Sequence, residues 1–438
     1  MFFKNVPGEA PDAFHRSVYA RIDSLEAGDG DDVIALLDCI ETNWIDEFGE
    51  NYGPLARGQE QDDSRLDNSL SIITTDFAPF KKRGFSEAER NWYRIDLGFP
   101  DASEWRVEQY FGLFSEPSER GVIGIEQVGL ELQRLLDFLA GWGDARPSKE
   151  RDIVSALDRQ GDIDSIAIYD VGQGAATALL RSGLPVMYFD LGGSAIGNWR
   201  SFPARLNQFC FTQDPPVVLS HWDWDHWSSA VRDAGNAIDD QLWILPLQSA
   251  AGALGAVHAR FLAMLNGRAR QVLWWDPNLT QVFLPNLHTT IMRATGPQSS
   301  RNESGLAIVV DRKGGPNERV LLPGDASFAN LPVKGGDKFH HVMAPPHGGK
   351  TQLSVLPNHI IKTRGHVIYS YGAGNIFLHP SADTVKAHRP KWKKNAHTAI
   401  RDEMGLGHLG IDLSGRSKNY QSPRCGSVHC QLGIRHWI

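Results

Sequence analysis

Residues 220–227 read SHWDWDHW and directly follow the apolar run PVVL at 216–219. This places His221, Asp223, Asp225 and His226 within six residues. Four such side chains cannot share one strand face, where alternate residues point apart, nor one stripe of a helix. A loop leaving a buried strand can bring them to one point. Burying two imidazoles and two carboxylates without a compensating cation would be costly. The mixed nitrogen and oxygen donors suit Zn²⁺, Mn²⁺ or Fe, not Ca²⁺, which takes oxygen alone. There are also more ligands than one tetrahedral ion with an open position needs, so a two-metal site is the economical reading.

The chain around this loop reads as two parts. Residues 1–155 show scattered helical spacing, in Val33, Leu36, Leu37, Ile40, Trp44 and Ile45 and again in Val128, Leu132, Leu135, Leu136 and Leu139. They are expected to form a mainly helical region, separated by a linker at 141–152 and a short helix after it. From about 162 onward, short β-rich runs recur: 163–170, 186–190, 216–220, 242–247, 289–294, 306–312, 319–325, 340–346 and 366–372. Helix-like segments sit between several of them, at 226–233, 248–265, 350–360 and 381–388. Strands interspersed with helices predict an α/β or layered α+β domain over 156–438. Most runs are apolar on both faces, so the sheets should be covered on both sides.

Further segments carry candidate chemistry. Asp170 opens the turn DVGQG, where Gly172 and Gly174 permit a tight approach of backbone to the site. Asp190 ends a strand before Gly192 and Gly193, Asp325 follows RVLLPG, His347 precedes Gly348 and Gly349, and His379 precedes Pro380 and Ser381. The pattern HxDxDH at 221–226 resembles the signature of the metallo-β-lactamase superfamily. The agreement extends to YDVGQGAATALL (169–180), YFDLGG (188–193), NESGLAIVV (302–310), LLPGDAS (321–327), APPHGGKTQ (344–352) and SYGAGNIFLHPSADTV (370–385). The first of these is similar to the branch that includes the DNA-uptake protein ComEC and its soluble relatives. Order and spacing match over roughly 162–385, about half the chain.

The resemblance implies an αββα sandwich with the site where loops after the strands meet. It implies two divalent ions, Zn or Mn, that activate water for attack on an electrophilic centre. His221 and Asp223 would hold one ion; Asp225, His226 and either His347 or His379 the other; Asp325 would bridge them. Asp190 and Asp170 would support the ligands, His379 is alternatively a proton donor to the leaving group, and Lys350 is a candidate contact to a scissile phosphate. Two departures stand out: Pro346 occupies the first of two adjacent positions where the family carries histidines, with His347 keeping the second, and Trp227, Ser228 and Ser229 replace the usual x-Gly-Gly. Hydrolysis of a phosphodiester, nucleic acid first, is the expected activity. The alternatives are a small-molecule ester, lactone or phosphodiester hydrolase, or a regulated effector whose residues 1–150 control the site and dock a protein partner.

Composition narrows this further. With 44 basic and 52 acidic residues the net charge is −8, so nucleic acid would have to be held by a local patch. The basic segment HRPKWKKNAH (388–397) is one candidate, and Trp222, Trp224 and Trp227 either seal the site or wall a stacked base, sealing being the favoured reading. Four cysteines exclude a disulfide scaffold, and Cys425, His429 and Cys430 lack the paired spacing of a structural zinc site, so 425–434 reads as a final strand. No run of apolar residues is long enough to span a membrane, and no signal segment is evident at the start. A cytoplasmic protein is the expectation.

Overall fold

A computed structural model describes residues 16–27, 32–57, 63–83, 91–158, 161–206, 208–232, 238–248, 254–311, 319–333, 337–350, 356–360, 365–403, 405–413, 432–434 and 436–438. It combines helices with several sheets, in keeping with an α/β class. Among the described residues no helix is long and apolar enough to cross a membrane. The chain divides into two compact units: Met1–Ala145 with Ala195–Trp199 and Ser249–Ala269, and Arg146–Ser194 with Arg200–Gln248 and Arg270–Ile438.

In the first unit, β1 (Arg16–Ala27), β2 (Val33–Glu41), β3 (Leu70–Asp76), β4 (Trp92–Gly98), β5 (Arg106–Tyr110) and β6 (Ser118–Gln127) close an antiparallel barrel in the order β1-β2-β3-β5-β6-β4. The mainly helical reading of residues 1–155 is therefore corrected. Of the two helical patterns, the second does form a helix, Leu130–Leu139, and Trp44 and Ile45 of the first lie on the short helix Thr42–Phe48, but Val33, Leu36, Leu37 and Ile40 lie on β2. The reason is burial on both faces. Ala35, Leu37 and Cys39 enter the barrel core with Val18, Ile22, Ile73 and Tyr93. Leu36, Asp38 and Ile40 on the opposite face are buried too. Without polar alternation, a strand's apolar residues fall by chance at helical intervals.

Asp38 explains how that outer face is closed. Its carboxylate accepts the backbone N–H of Val257 at 2.9 and 3.0 Å, at the start of the helix Ala256–Arg268. The His258 ring nitrogen Nδ1 lies 3.1 Å from the same carboxylate. A carboxylate here satisfies N–H groups that no turn of helix precedes, and it complements the positive end of the helix dipole.

The second unit contains β7 (Ser165–Ile168), β8 (Ala176–Arg181), β9 (Leu184–Leu191), β10 (Val217–Val218), β11 (Leu242–Pro246), β12 (Gln271–Trp275), β13 (Gln281–Leu284), β14 (Thr289–Arg293), β15 (Leu306–Asp311), β16 (Arg319–Leu322), β17 (Lys338–Phe339), β18 (His341–Met343), β19 (Asn358–His359), β20 (His366–Tyr369), β21 (Lys394–His397), β22 (Leu409–Asp412) and β23 (His436–Trp437). One sheet runs β12-β11-β10-β9-β8-β7-β22-β23 and the other β13-β14-β15-β16-β18-β20-β21, with β17 and β19 paired apart. All nine anticipated runs contain strands. Of the anticipated helix at 350–360, the described residues instead include β19, and Cys425, His429 and Cys430 lie outside the described residues.

The two sheets share one core: Ile166, Ile168, Leu179, Phe189, Val218 and Ile244 from the first pack in the same cluster as Val282, Ile291, Ile308, Val320 and Ile368 from the second. Strand β15 shows why its sequence lacks alternation. Leu306, Ile308 and Val310 enter that core, while Ala307 and Val309 join a separate cluster with Val342, Val367 and Trp392 on the other face. Strands β9 to β12 run parallel, as do β16, β18, β20 and β21. In both sheets the carboxyl ends of the parallel strands therefore deliver loops, the usual place for a ligand site in such sheets. Replacing Asp38 with alanine should cost about 1–3 kcal/mol, because it strands buried N–H groups. Urea unfolding followed by tryptophan fluorescence should show an earlier midpoint for Asp38→Ala than for Asp38→Asn.

Candidate metal centre

The SHWDWDHW loop leaves β10 and is anchored by the strand beside it. Asp190, buried near the end of β9, accepts the backbone N–H of Ser220 at 2.6 Å and the Ser220 hydroxyl at 2.8 Å. Its Oδ2 also lies 2.8 Å from His226 Nδ1. A carboxylate accepts a hydrogen bond from that nitrogen, so Nδ1 carries a proton and Nε2 is the atom able to give a lone pair to a cation. Close packing holds the following turn, Trp224–His226, in place. A Cβ on Gly192 would overlap the carbonyl oxygen of Asp225, so only glycine fits there.

The distant residues arrive from the second sheet. Asp325 follows β16, and its Oδ1 stands 3.3 Å from His226 Nε2. His347 follows β18. Its Nδ1 lies 2.7 Å from the backbone carbonyl of Ser370 beyond β20, and a carbonyl only accepts, so this nitrogen carries the proton. Its Nε2 then faces the carboxylates, 3.0 Å from Asp225 Oδ2 and 3.6 Å from Asp325 Oδ2. Two groups result in which one ligand atom from each residue lies within 4.8 Å of the other two: His221, His226 and Asp325, and Asp225, His226 and His347. The Nε2 atoms of His221, His226 and His347 are buried and make no hydrogen bond within the protein. Buried nitrogens beside carboxylates and otherwise unsatisfied are the donor set of a cation site, so these residues fit a divalent ion.

Not every anticipated residue enters these groups. Asp223 sits beside the first, with Oδ2 3.3 Å from His221 Nε2 and Oδ1 3.7 Å from Arg301. The His379 ring lies near the His347 ring, 6.3 Å between centroids, yet belongs to neither group. Asp170 binds Arg401 at 2.7 and 3.2 Å and the N–H groups of Gly172 and Gly407, bracing the DVGQG turn from behind. Lys350 is exposed at the end of the turn that carries His347. Trp222, Trp224 and Trp227 are buried, with the Trp222 indole bonded to the carbonyl of Pro246, so they wall the loop off from water. Trp392 of the basic segment is also buried and offers no face for a base.

Three contributors carry no signal in the sequence that singles them out. Ser220 links Asp190 to both loop histidines, 2.9 Å from His221 Nδ1 and 3.2 Å from His226 Nδ1. Arg301 faces Asp223, and Gln173 faces His379 at 3.2 Å. Ser220 and Gln173 lie inside the chemistry-bearing motifs themselves, but only the acids, histidines and glycines there point to a role.

Burial lowers the proton affinity of His226, but Asp325, Asp190 and Asp225 outweigh it and hold its pKa well above the ordinary value. Burial likewise opposes protonation of His347, yet Asp325 and Asp225 push it up to about 9. Burial disfavours ionised Asp325, but His347, His226 and His221 hold its carboxyl far below the usual range. His379 shows the reverse: burial, aided by His347, lowers it to about 4. No protein-family model matches this chain, and no curated protein matches it.

For the metal-free protein, a raised histidine pKa is stabilising below the unfolded value of ~6.5, and the contribution is lost as pH rises through about 9. Metal-free protein should therefore lose stability between pH ~6.5 and ~9.5 in thermal unfolding, and His347→Gln should flatten that part of the profile.

Proposed function

We propose that the chain is a metal-dependent hydrolase of the metallo-β-lactamase type, an αββα sandwich in its second unit, acting on phosphodiesters and most of all on nucleic acid. The observation that carries this reading is the convergence of three buried imidazole Nε2 atoms with Asp225 and Asp325 at the carboxyl ends of strands from two sheets. The shared core between those sheets, and the order of the motifs along the chain, support it. The choice of phosphodiester rests on the DVGQG segment's similarity to the ComEC-type branch.

In this reading His221, His226 and Asp325 would hold one divalent ion and Asp225 and His347 the other, with Asp325 close to both His226 and His347. Such a pair supplies Lewis acidity and a nucleophilic water near neutral pH. The protein's own part is orientation and exclusion. Asp190 and the Ser370 carbonyl fix which nitrogen of His226 and His347 bears the proton. The buried tryptophans keep bulk water from the back of the loop. Lys350, exposed beside Gly349, is the candidate contact to a phosphate; unchanged turnover and affinity in Lys350→Ala would remove it from that role.

The test is elemental analysis of purified protein, then incubation with DNA, RNA and a bis-aryl phosphodiester in Mn²⁺ and Zn²⁺. Asp225→Ala with His226→Ala should abolish turnover, and Asp190→Ala should weaken ion affinity about 10–100-fold, the usual cost of losing a residue that orients a ligand. Protein that binds no divalent ion under any condition would refute the reading. The net charge of −8 favours a second reading, a small ester or phosphodiester substrate. Salt separates the two: kcat/KM on nucleic acid should fall steeply with ionic strength, and on a small ester it should not.

A further inference from the structure

The four histidines around the site differ in what holds their Nδ1 atoms. His226 donates its Nδ1–H to Asp190, and His347 donates its Nδ1–H to the Ser370 carbonyl. Both partners accept, so in both rings Nδ1 keeps its proton and Nε2 is the atom available to a cation. His379 has the opposite partner. Its Nδ1 lies 3.2 Å from Gln173 Nε2, an amide nitrogen that only donates. An imidazole nitrogen that accepts a hydrogen bond carries no proton, so the single proton of the neutral ring sits on Nε2. A protonated nitrogen has no lone pair for a cation.

We infer that Gln173 is a positioning residue that fixes His379 as an Nε2–H donor to a substrate oxygen beside the metal centre, and thereby keeps it out of the ligand set. The inference rests on the hydrolase reading of the site and goes beyond it, by separating the roles of His347 and His379. Both partners are held for this task. Gln173 is buried, and its backbone N–H is bonded to Ser194 Oγ at 2.6 Å and to Ser201 Oγ at 3.2 Å. Asn375 clamps the backbone of His379, accepting its N–H at 2.9 Å and donating to its carbonyl at 2.8 Å. Space is kept for the reactive edge of the ring: a Cβ on Gly349 would come within 2.6 Å of His379 Nε2. A preorganised donor of this kind serves an oxygen that gains negative charge as the ester bond breaks.

The experiment uses the full chain labelled with ¹⁵N-histidine, with and without Zn²⁺. Two-bond ¹⁵N–¹H spectra report the tautomer of each ring, and the His379 signals are assigned from their loss in His379→Ala. The expected result is an Nε2–H ring at His379 in both states and, with Zn²⁺ bound, Nδ1–H rings at His226 and His347. Gln173→Glu, whose carboxylate accepts, should convert His379 to the Nδ1–H form, and Gln173→Met should leave a mixture. His379→Ala should retain the full zinc stoichiometry while kcat on a bis-aryl phosphodiester falls about 10²–10³-fold with little change in KM. An Nδ1–H ring at His379 in the unsubstituted chain, or loss of bound zinc in His379→Ala, would overturn the inference. Absence of phosphodiester turnover in the unsubstituted chain would instead count against the hydrolase reading, and the tautomer and zinc measurements would still decide the role of Gln173.

Discussion

One buried carboxylate organises the second unit. Asp190 stands at the end of β9 with a left-handed backbone (φ 63°), a conformation that aspartate tolerates better than most residues. From there it holds the first residue of the neighbouring loop by main chain and side chain, and the last histidine of the same loop by its ring. The path of residues 220–226 is thus set by a strand that contributes no ligand atom to either group of three. Without that anchor, two imidazoles and two carboxylates could spread into solvent, and the inward lone pair of His226 would have no fixed direction.

The arrangement is unfavourable by itself. Asp190, Asp223, Asp225 and Asp325 crowd four carboxylates around buried imidazoles, with Arg301 near Asp223. The protein meets this partly with protons: His226 and His347 bind them more tightly than free imidazole would. Protons and divalent ions compete for the same Nε2 atoms, so the force that raises these pKa values is the force that would draw in cations. Two dications match the four carboxylates in charge, and the ligand atoms fall into two overlapping groups with His226 in both.

The sequence is informative wherever chemistry and geometry coincide. His221, Asp225, His226, Asp325 and His347 can all be named from it, because each stands just after an apolar run. A strand that ends there releases its next polar side chains into a loop at the sheet edge, where they can converge. The barrel is not legible in the same way. Its strand β2 is buried on both faces, so the period of two that marks a strand is absent and Leu36, Leu37 and Ile40 imitate a helix. The partner of Asp38 lies about 220 residues on, and no local pattern announces a cap supplied from that distance. Gln173 is silent for another reason: an amide between two glycines has no chemical signature until the histidine it faces is known.

That last case bears on how the ligand set should be read. His347 and His379 both lie within the motifs that resemble the superfamily's, both are buried, and their rings lie near each other. Residue type and position along the chain cannot separate them. What separates them is one atom beyond each ring, a carbonyl oxygen at one and an amide nitrogen at the other. The pKa directions agree with this division, since His347 is drawn toward the carboxylates and retains a proton, while His379 is held neutral. A ring that is neutral, bonded at Nδ1 by a donor and given room at Nε2 by Gly349 is suited to offering a hydrogen bond, and the division of labour within the site follows from the neighbours of the histidines rather than from the histidines themselves.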